Sequence, residues 1–184
     1  MSRLWLTGYR SYEMGIFKDN DPKLTVIKYA LKLSITQAIE EGVDWVLTGG
    51  QLGTEQWAIE VVNELKEDYD QLRLGVILPF QKFGSQWKED KQIKLASLIA
   101  SADFHDQIYH QEYQGPYQLR AYQDFMLEHS DRAFLLYDPD FPGKVDYDYQ
   151  KILKWQEERP YPLTNLTMDD LQEIATDYEE NQKL

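Results

Sequence analysis

Apolar positions alternate along the chain between short unbroken runs and longer stretches at helical spacing. Leu4-Trp5-Leu6-Thr7 predicts a buried strand that leads into Gly8-Tyr9-Arg10, followed by a polar loop. Asn20 or Asp21 then caps a helix, Pro22 suits its first turn, and Leu24, Ile27, Leu31, Ile35, Ala38 and Ile39 form one face before Gly42 stops it. A second strand, Trp45 to Thr48, precedes a helix that carries Trp57, Ala58, Val61, Val62 and Leu65 at helical spacing. Leu72 to Leu78 predicts a third strand ending in Pro79-Phe80. Trp87, Ile93, Ala96, Ile99 and Ala100 suggest a helix, and Gln107-Ile108-Tyr109 a short fourth strand.

Gly115-Pro116 marks a break before a helix from about Tyr117 to His129, with Tyr122, Phe125 and Met126 inward. Ala133 to Tyr137 is the clearest strand, closed by Asp138-Pro139-Asp140. Val145, Tyr149, Ile152, Leu153 and Gln156 line a further helix, Tyr161-Pro162-Leu163 reads as an edge strand, and Thr167 opens a last helix bearing Leu171, Ile174, Ala175 and Tyr178. Strand and helix alternate throughout, which predicts an α/β fold of three layers, a mostly parallel sheet flanked by helices. With no internal repeat, linker or low-complexity tract, residues 1–184 read as one domain. A chain of this length buries roughly 70% of its unfolded surface and needs no metal or disulfide to fold.

In such a sheet ligands bind beyond the carboxyl ends of the strands. The unusual residues fall there: Thr7, Gly8, Tyr9 and Arg10 after the first strand, Thr48 to Glu55 after the second, Pro79-Phe80 after the third, and Tyr137-Asp138-Pro139 after the fifth. In the second of these loops Gly49, Gly50 and Gly53 supply three glycines in five positions, with Gln51 and Leu52 between them and Thr54-Glu55 opening a helix. Main-chain amides in such a loop approach a ligand closely, and the helix aims its free N–H groups at the same place. The spacing is neither the dinucleotide fingerprint nor the phosphate loop, so a plain turn is the competing reading. Glu55 favours the helix dipole, and it also stands where it would accept hydrogen bonds from ribose hydroxyls or act on a glycosidic centre.

Composition narrows the function classes. A net charge of -13 with 19 Lys and Arg scattered among 32 acids disfavours nucleic acid as a partner. A small anionic ligand then needs a pocket that reverses the sign locally, with backbone amides and cations such as Arg10. No apolar stretch approaches a membrane span, and Leu4-Trp5-Leu6 after Ser2-Arg3 is too short for a secretory core, which points to a cytoplasmic protein. The absence of cysteine removes disulfides, thiol catalysis and sulfur-ligated zinc.

Thr7-Gly8-Tyr9-Arg10, Gly15-Ile16-Phe17, the run Gly50-Gln51-Leu52-Gly53-x-Glu55-x-Trp57, Trp87-Lys88, Leu135-Leu136-Tyr137-Asp138 and Met168-Asp169-Asp170-Leu171 together resemble the YpsA family of bacterial proteins. The likeness spans nearly the whole chain. That family is placed in the SLOG superfamily of Rossmann-like domains, whose other branches include cytokinin-activating phosphoribohydrolases and a DNA-processing protein. The resemblance implies a sensor or regulator that binds a nucleotide or an ADP-ribose-like molecule, and a link to cell division in Gram-positive bacteria. By the same resemblance Gly49, Gly50 and Gly53 would cradle phosphate, Thr54 would add a hydroxyl and an amide, and Glu55 would face the sugar. The hydrolase branch shows Pro-Gly-Gly-x-Gly-Thr-x-x-Glu, whereas here Thr48 replaces the proline, two residues separate the glycines, and Glu55 follows Thr54 directly.

Two other readings stand beside the sensor: an N-glycosidase of nucleotides with Glu55 as its catalytic carboxylate, and a protein-interaction module with a vestigial pocket. Arg10 would clamp a phosphate or rest on the surface. Tyr9, Phe80, Trp87 and Tyr117 would stack on a base or pack in the core. Asp138 and Asp140 suit a ribose hydroxyl or Mg2+, although Asp-Pro-Asp is commonly a turn, and no metal site is expected. His105 and His110 are poorly spaced as ligands, and contiguous His129-Ser130-Asp131 cannot form a triad. A bound nucleotide-like ligand is the only cofactor expected. Protein partners and self-association are left open.

Overall fold

Six strands, all parallel, form one sheet in the order β4-β3-β2-β1-β5-β6 in the computed structural model, which describes residues 1–183. The strands are β1 (Arg3–Gly8), β2 (Trp45–Thr48), β3 (Arg73–Phe80), β4 (Phe104–Tyr109), β5 (Arg132–Leu136) and β6 (Leu163–Leu166). The helices are α1 (Pro22–Glu40), α2 (Thr54–Leu65), α3 (Glu89–Ala100), α4 (Pro116–Glu128), α5 (Asp146–Gln156) and α6 (Met168–Gln182). Helices α3, α2, α1 and α6 pack side by side as one layer, and α4 and α5 form another. This is the three-layer Rossmann-like α/β arrangement that the alternation predicts, with a sheet that is parallel throughout.

The central strand shows why. Leu4, Trp5 and Leu6 are all buried, so β1 is covered on both faces, as a parallel sheet between helical layers requires. Each such aliphatic side chain contributes about 1.5–3 kcal/mol by leaving water. Local signals set the helix ends. The Asp21 carboxylate accepts from the Lys23 amide at 2.9 Å with Pro22 in the first turn, and Thr167 and Asp170 exchange reciprocal bonds at the start of α6.

Several boundaries differ from the sequence expectation. The edge strand β6 runs over Leu163–Leu166, because Tyr161 instead turns inward to share a hydrogen bond with Ser130. β4 begins three residues earlier than Gln107; its first half, Phe104 to Asp106, is exposed at the edge of the sheet and carries no apolar alternation, and only Gln107 to Tyr109 are half-buried. The loop after β1 holds a short 3-10 turn, Ser11–Met14, and Leu153 is 37% exposed rather than packed.

One contact fixes the geometry of the carboxyl edge. The loop after β1 and the loop after β2 zip together in antiparallel fashion, with the Ser11 amide donating to Leu52 and the Thr54 amide to Tyr9, each at 3.1 Å. Gly53 makes this possible. Its φ is +119°, and a Cβ there would lie 2.5 Å from the Ser11 nitrogen and 2.6 Å from the Tyr9 carbonyl oxygen. Gly53→Ala is therefore expected to cost at least about 2 kcal/mol, read as a lower urea midpoint with an unchanged m-value.

Candidate functional site

A cavity of about 660 Å3 lies over the carboxyl ends of β1, β2 and β3. Of the residues singled out in the sequence, Arg10, Gly49, Gly50, Gln51, Glu55 and Pro79 line it. Its floor is built on Glu55, in the first turn of α2 and only 5% exposed. One carboxylate oxygen accepts from the Gln51 amide at 2.9 Å and the other from the Thr7 hydroxyl at 2.7 Å. Gly49 leaves room for this: a Cβ at that position would collide with the Glu55 carboxylate and stand 2.6 Å from the Tyr122 hydroxyl.

The other expected residues are held elsewhere, each for a visible reason. Thr7 touches the site only through Glu55. Gly8 ends β1 against Leu136 and Thr54, where a Cβ would meet the Leu136 carbonyl oxygen at 2.6 Å. Tyr9 is a buried strut: its hydroxyl donates to the Phe141 carbonyl at 2.8 Å and accepts from the Asp138 amide at 2.9 Å. Burial pushes that phenol above its usual range. Gly53 serves the loop contact described above, and Thr54 spends both its amide and its hydroxyl on the Tyr9 carbonyl. Asp138 accepts from the Asp140 and Met168 amides, closing a turn and seating α6. Phe80 and Trp87 stand behind the wall, their ring centroids 5.6 and 5.4 Å from that of Phe83, which faces the cavity. Tyr117 is exposed and meets Tyr109 edge to face.

The sequence reading missed the far side. Pro116, Leu119, Arg120, Tyr122 and Gln123 line the cavity from one face of α4, Lys144 from the loop before α5, and Tyr147 and Asp148 from its first turn. Glu13 ties two of the walls together, accepting from the Arg10 amide at 2.7 Å and the Lys144 amide at 2.9 Å. The available signal was the rim rule applied to the helix that follows β5, where Asp146 and Asp148 stand in the first turn.

Two buried groups are electrostatically unusual. Burial pushes the Asp148 carboxyl up to about 6, and the Glu55 charge adds to the rise; the 2.7 Å bond from Gln123 and the charges of Arg10 and Lys151 oppose it. The Tyr122 hydroxyl is enclosed with no hydrogen-bond partner. Burial, with Glu55 and Asp148 beside it, holds it well above the ordinary phenol range, so it is a neutral donor. Among the described residues no three His, Asp or Glu side chains converge as metal ligands, and no helix is long and apolar enough to cross a membrane.

The profile of the YspA SLOG family matches residues 4–171. The chain belongs to this YpsA family. It is 56% identical over 182 residues to a UPF0398 protein of Leuconostoc citreum, covering 99% of this chain and 96% of that one. A UPF0398 protein of Lactiplantibacillus plantarum is 52% identical with the same coverage, and one of Lactobacillus johnsonii is 50% identical over 100% of this chain and 98% of its own. The superfamily is one of nucleotide-binding-type folds. In this YpsA chain the glycine loop supports a carboxylate-floored cavity.

Asp148 provides a pH test. Its folded-state value lies above the ordinary 3.8, so the stability it contributes is complete below about pH 4 and is lost as pH rises through about 6. Asp148→Asn is expected to stabilise the protein by about 1–2 kcal/mol at pH 7 relative to wild type, with the difference vanishing near pH 4. Urea unfolding of both proteins across that range measures it.

Proposed function

We propose that this YpsA-family protein is a sensor or regulator that binds a nucleotide or a nucleotide-derived molecule of the ADP-ribose kind over the ends of β1, β2 and β3. The cavity carries this reading. Its volume of about 660 Å3 is that of a small-molecule site, and Pro79 and Phe83 offer an apolar wall beside the polar groups of the β1 loop, the glycine loop, α4 and α5. Its position beyond the strand ends supports the same conclusion. The link to cell division implied by the family resemblance would run through a partner that reads whether the cavity is filled.

The second reading, cleavage of an N-glycosidic bond, is favoured by one observation. Glu55 and Asp148 share the cavity in different surroundings, Glu55 accepting two hydrogen bonds and Asp148 with its carboxyl raised to about 6. Such a difference separates an acid from a base or nucleophile.

ADP-ribose, NAD or AMP at a hundredfold excess over Kd is expected to stabilise the protein by about 2.7 kcal/mol, roughly 5–10 °C in Tm. No shift with any of the three at millimolar concentration would refute ligand binding of this class. Incubation with the same compounds, followed by chromatography for free base, separates the two readings. The sensor releases none, whereas the hydrolase releases base in a reaction that Glu55→Gln abolishes.

A further inference from the structure

We infer that the ligand lies with sugar hydroxyls on the floor, between Tyr122 and Glu55, and with its phosphate at the mouth beside Arg10, Arg120 and Lys144. Tyr122 is then the residue that selects for a hydroxyl-bearing sugar. This orientation rests on the nucleotide reading of the same cavity, and it reverses the placement in which the glycine loop cradles the phosphate.

Two of the loop's amides are already engaged, that of Gln51 with Glu55 and that of Thr54 with the Tyr9 carbonyl, and a phosphate brought to the floor would meet the Glu55 carboxylate at close range. A sugar hydroxyl fits that floor. It donates to the remaining lone pairs of Glu55 while accepting from the phenol of Tyr122, whereas a phosphate oxygen only accepts. Tyr122 has a hydroxyl to give: it is enclosed, it has no partner, and it lies beside Gly49 close to the Glu55 carboxylate. An enclosed polar group left unpaired is unfavourable, and a ligand that pairs it gains accordingly.

The mouth has the opposite character. Arg10, Arg120 and Lys144 line the cavity, and among the described residues none of them is in an ion pair. Arg120 and Lys144 are exposed, where a phosphate keeps part of its hydration while gaining charge-assisted bonds.

Calorimetric titration with AMP and with 2′,3′-dideoxy-AMP tests the orientation. Wild type is expected to prefer AMP by roughly tenfold or more. Tyr122→Phe, which keeps the ring, should bind AMP about tenfold more weakly, leave the dideoxy compound unchanged and so lose most of the preference. The Arg120→Ala, Lys144→Ala double variant should weaken both compounds alike and retain the preference. Equal binding of the two compounds by wild type, or a preference that survives in Tyr122→Phe, overturns the orientation while nucleotide binding stands. Inorganic pyrophosphate that competes with AMP and binds Glu55→Gln more tightly than wild type also overturns it, because the phosphate would then sit on the floor. Failure of wild type to bind AMP, ADP-ribose or NAD removes the nucleotide reading and the orientation together.

Discussion

The seat of the Glu55 carboxylate is the constraint on which the carboxyl edge of this sheet depends. It joins three elements at one point: Thr7 at the end of β1, Gln51 in the loop after β2, and the first turn of α2. Hydrogen bonds to a charged acceptor are worth about 1.5–3 kcal/mol each, and both donors would be left without a partner if the acceptor were removed. Thr7 is fully buried, so water does not replace the lost bond there. A carboxylate near the start of α2 also meets the positive end of the helix dipole, so the arrangement is favourable before any ligand arrives.

How much of this was legible in the sequence varies element by element. The core strands were readable because burial on both faces makes them unbroken apolar runs, and the helical faces because one-sided burial imposes a period on them, as with Leu24 to Ile39 on α1. β4 was half lost because its first three residues, exposed at the sheet edge, carry no such signal. The loop after β2 was conspicuous for its glycines, but the physical cause of each glycine was not readable. Gly53 is demanded by the backbone of the Tyr9–Ser11 segment and Gly49 by the Tyr122 phenol, both far away in sequence, together with the nearby Glu55 carboxylate, which the fold turns back over the loop.

The same limit explains Tyr122 and Asp148. Tyr122 sits at a position that periodicity assigns to the core of α4, and the helix is indeed packed there; only the crossover from β4 back to β5 brings its hydroxyl over Gly49. Asp148 reads as an ordinary first-turn acid of α5 until the fold sets Glu55 and Arg10 within its field. Spacing along the chain encodes which face a residue takes, and the topology decides what that face meets.

A protein with a net charge of -13 must still solve the problem of attracting an anion, and the solution here is local. At physiological salt the screening length is about 8 Å, so acids on distant surfaces contribute little at the cavity mouth, and Arg10, Arg120 and Lys144 dominate there. Deeper in, less water screens the charges, and Glu55 with Asp148 sets a negative field that Arg10 only partly offsets; burial raises the Asp148 carboxyl first, and the Glu55 charge adds to that rise. A cavity with a cationic mouth and an acidic floor discriminates by orientation: a molecule carrying its charge at one end and hydroxyls at the other is favoured one way round and penalised when reversed.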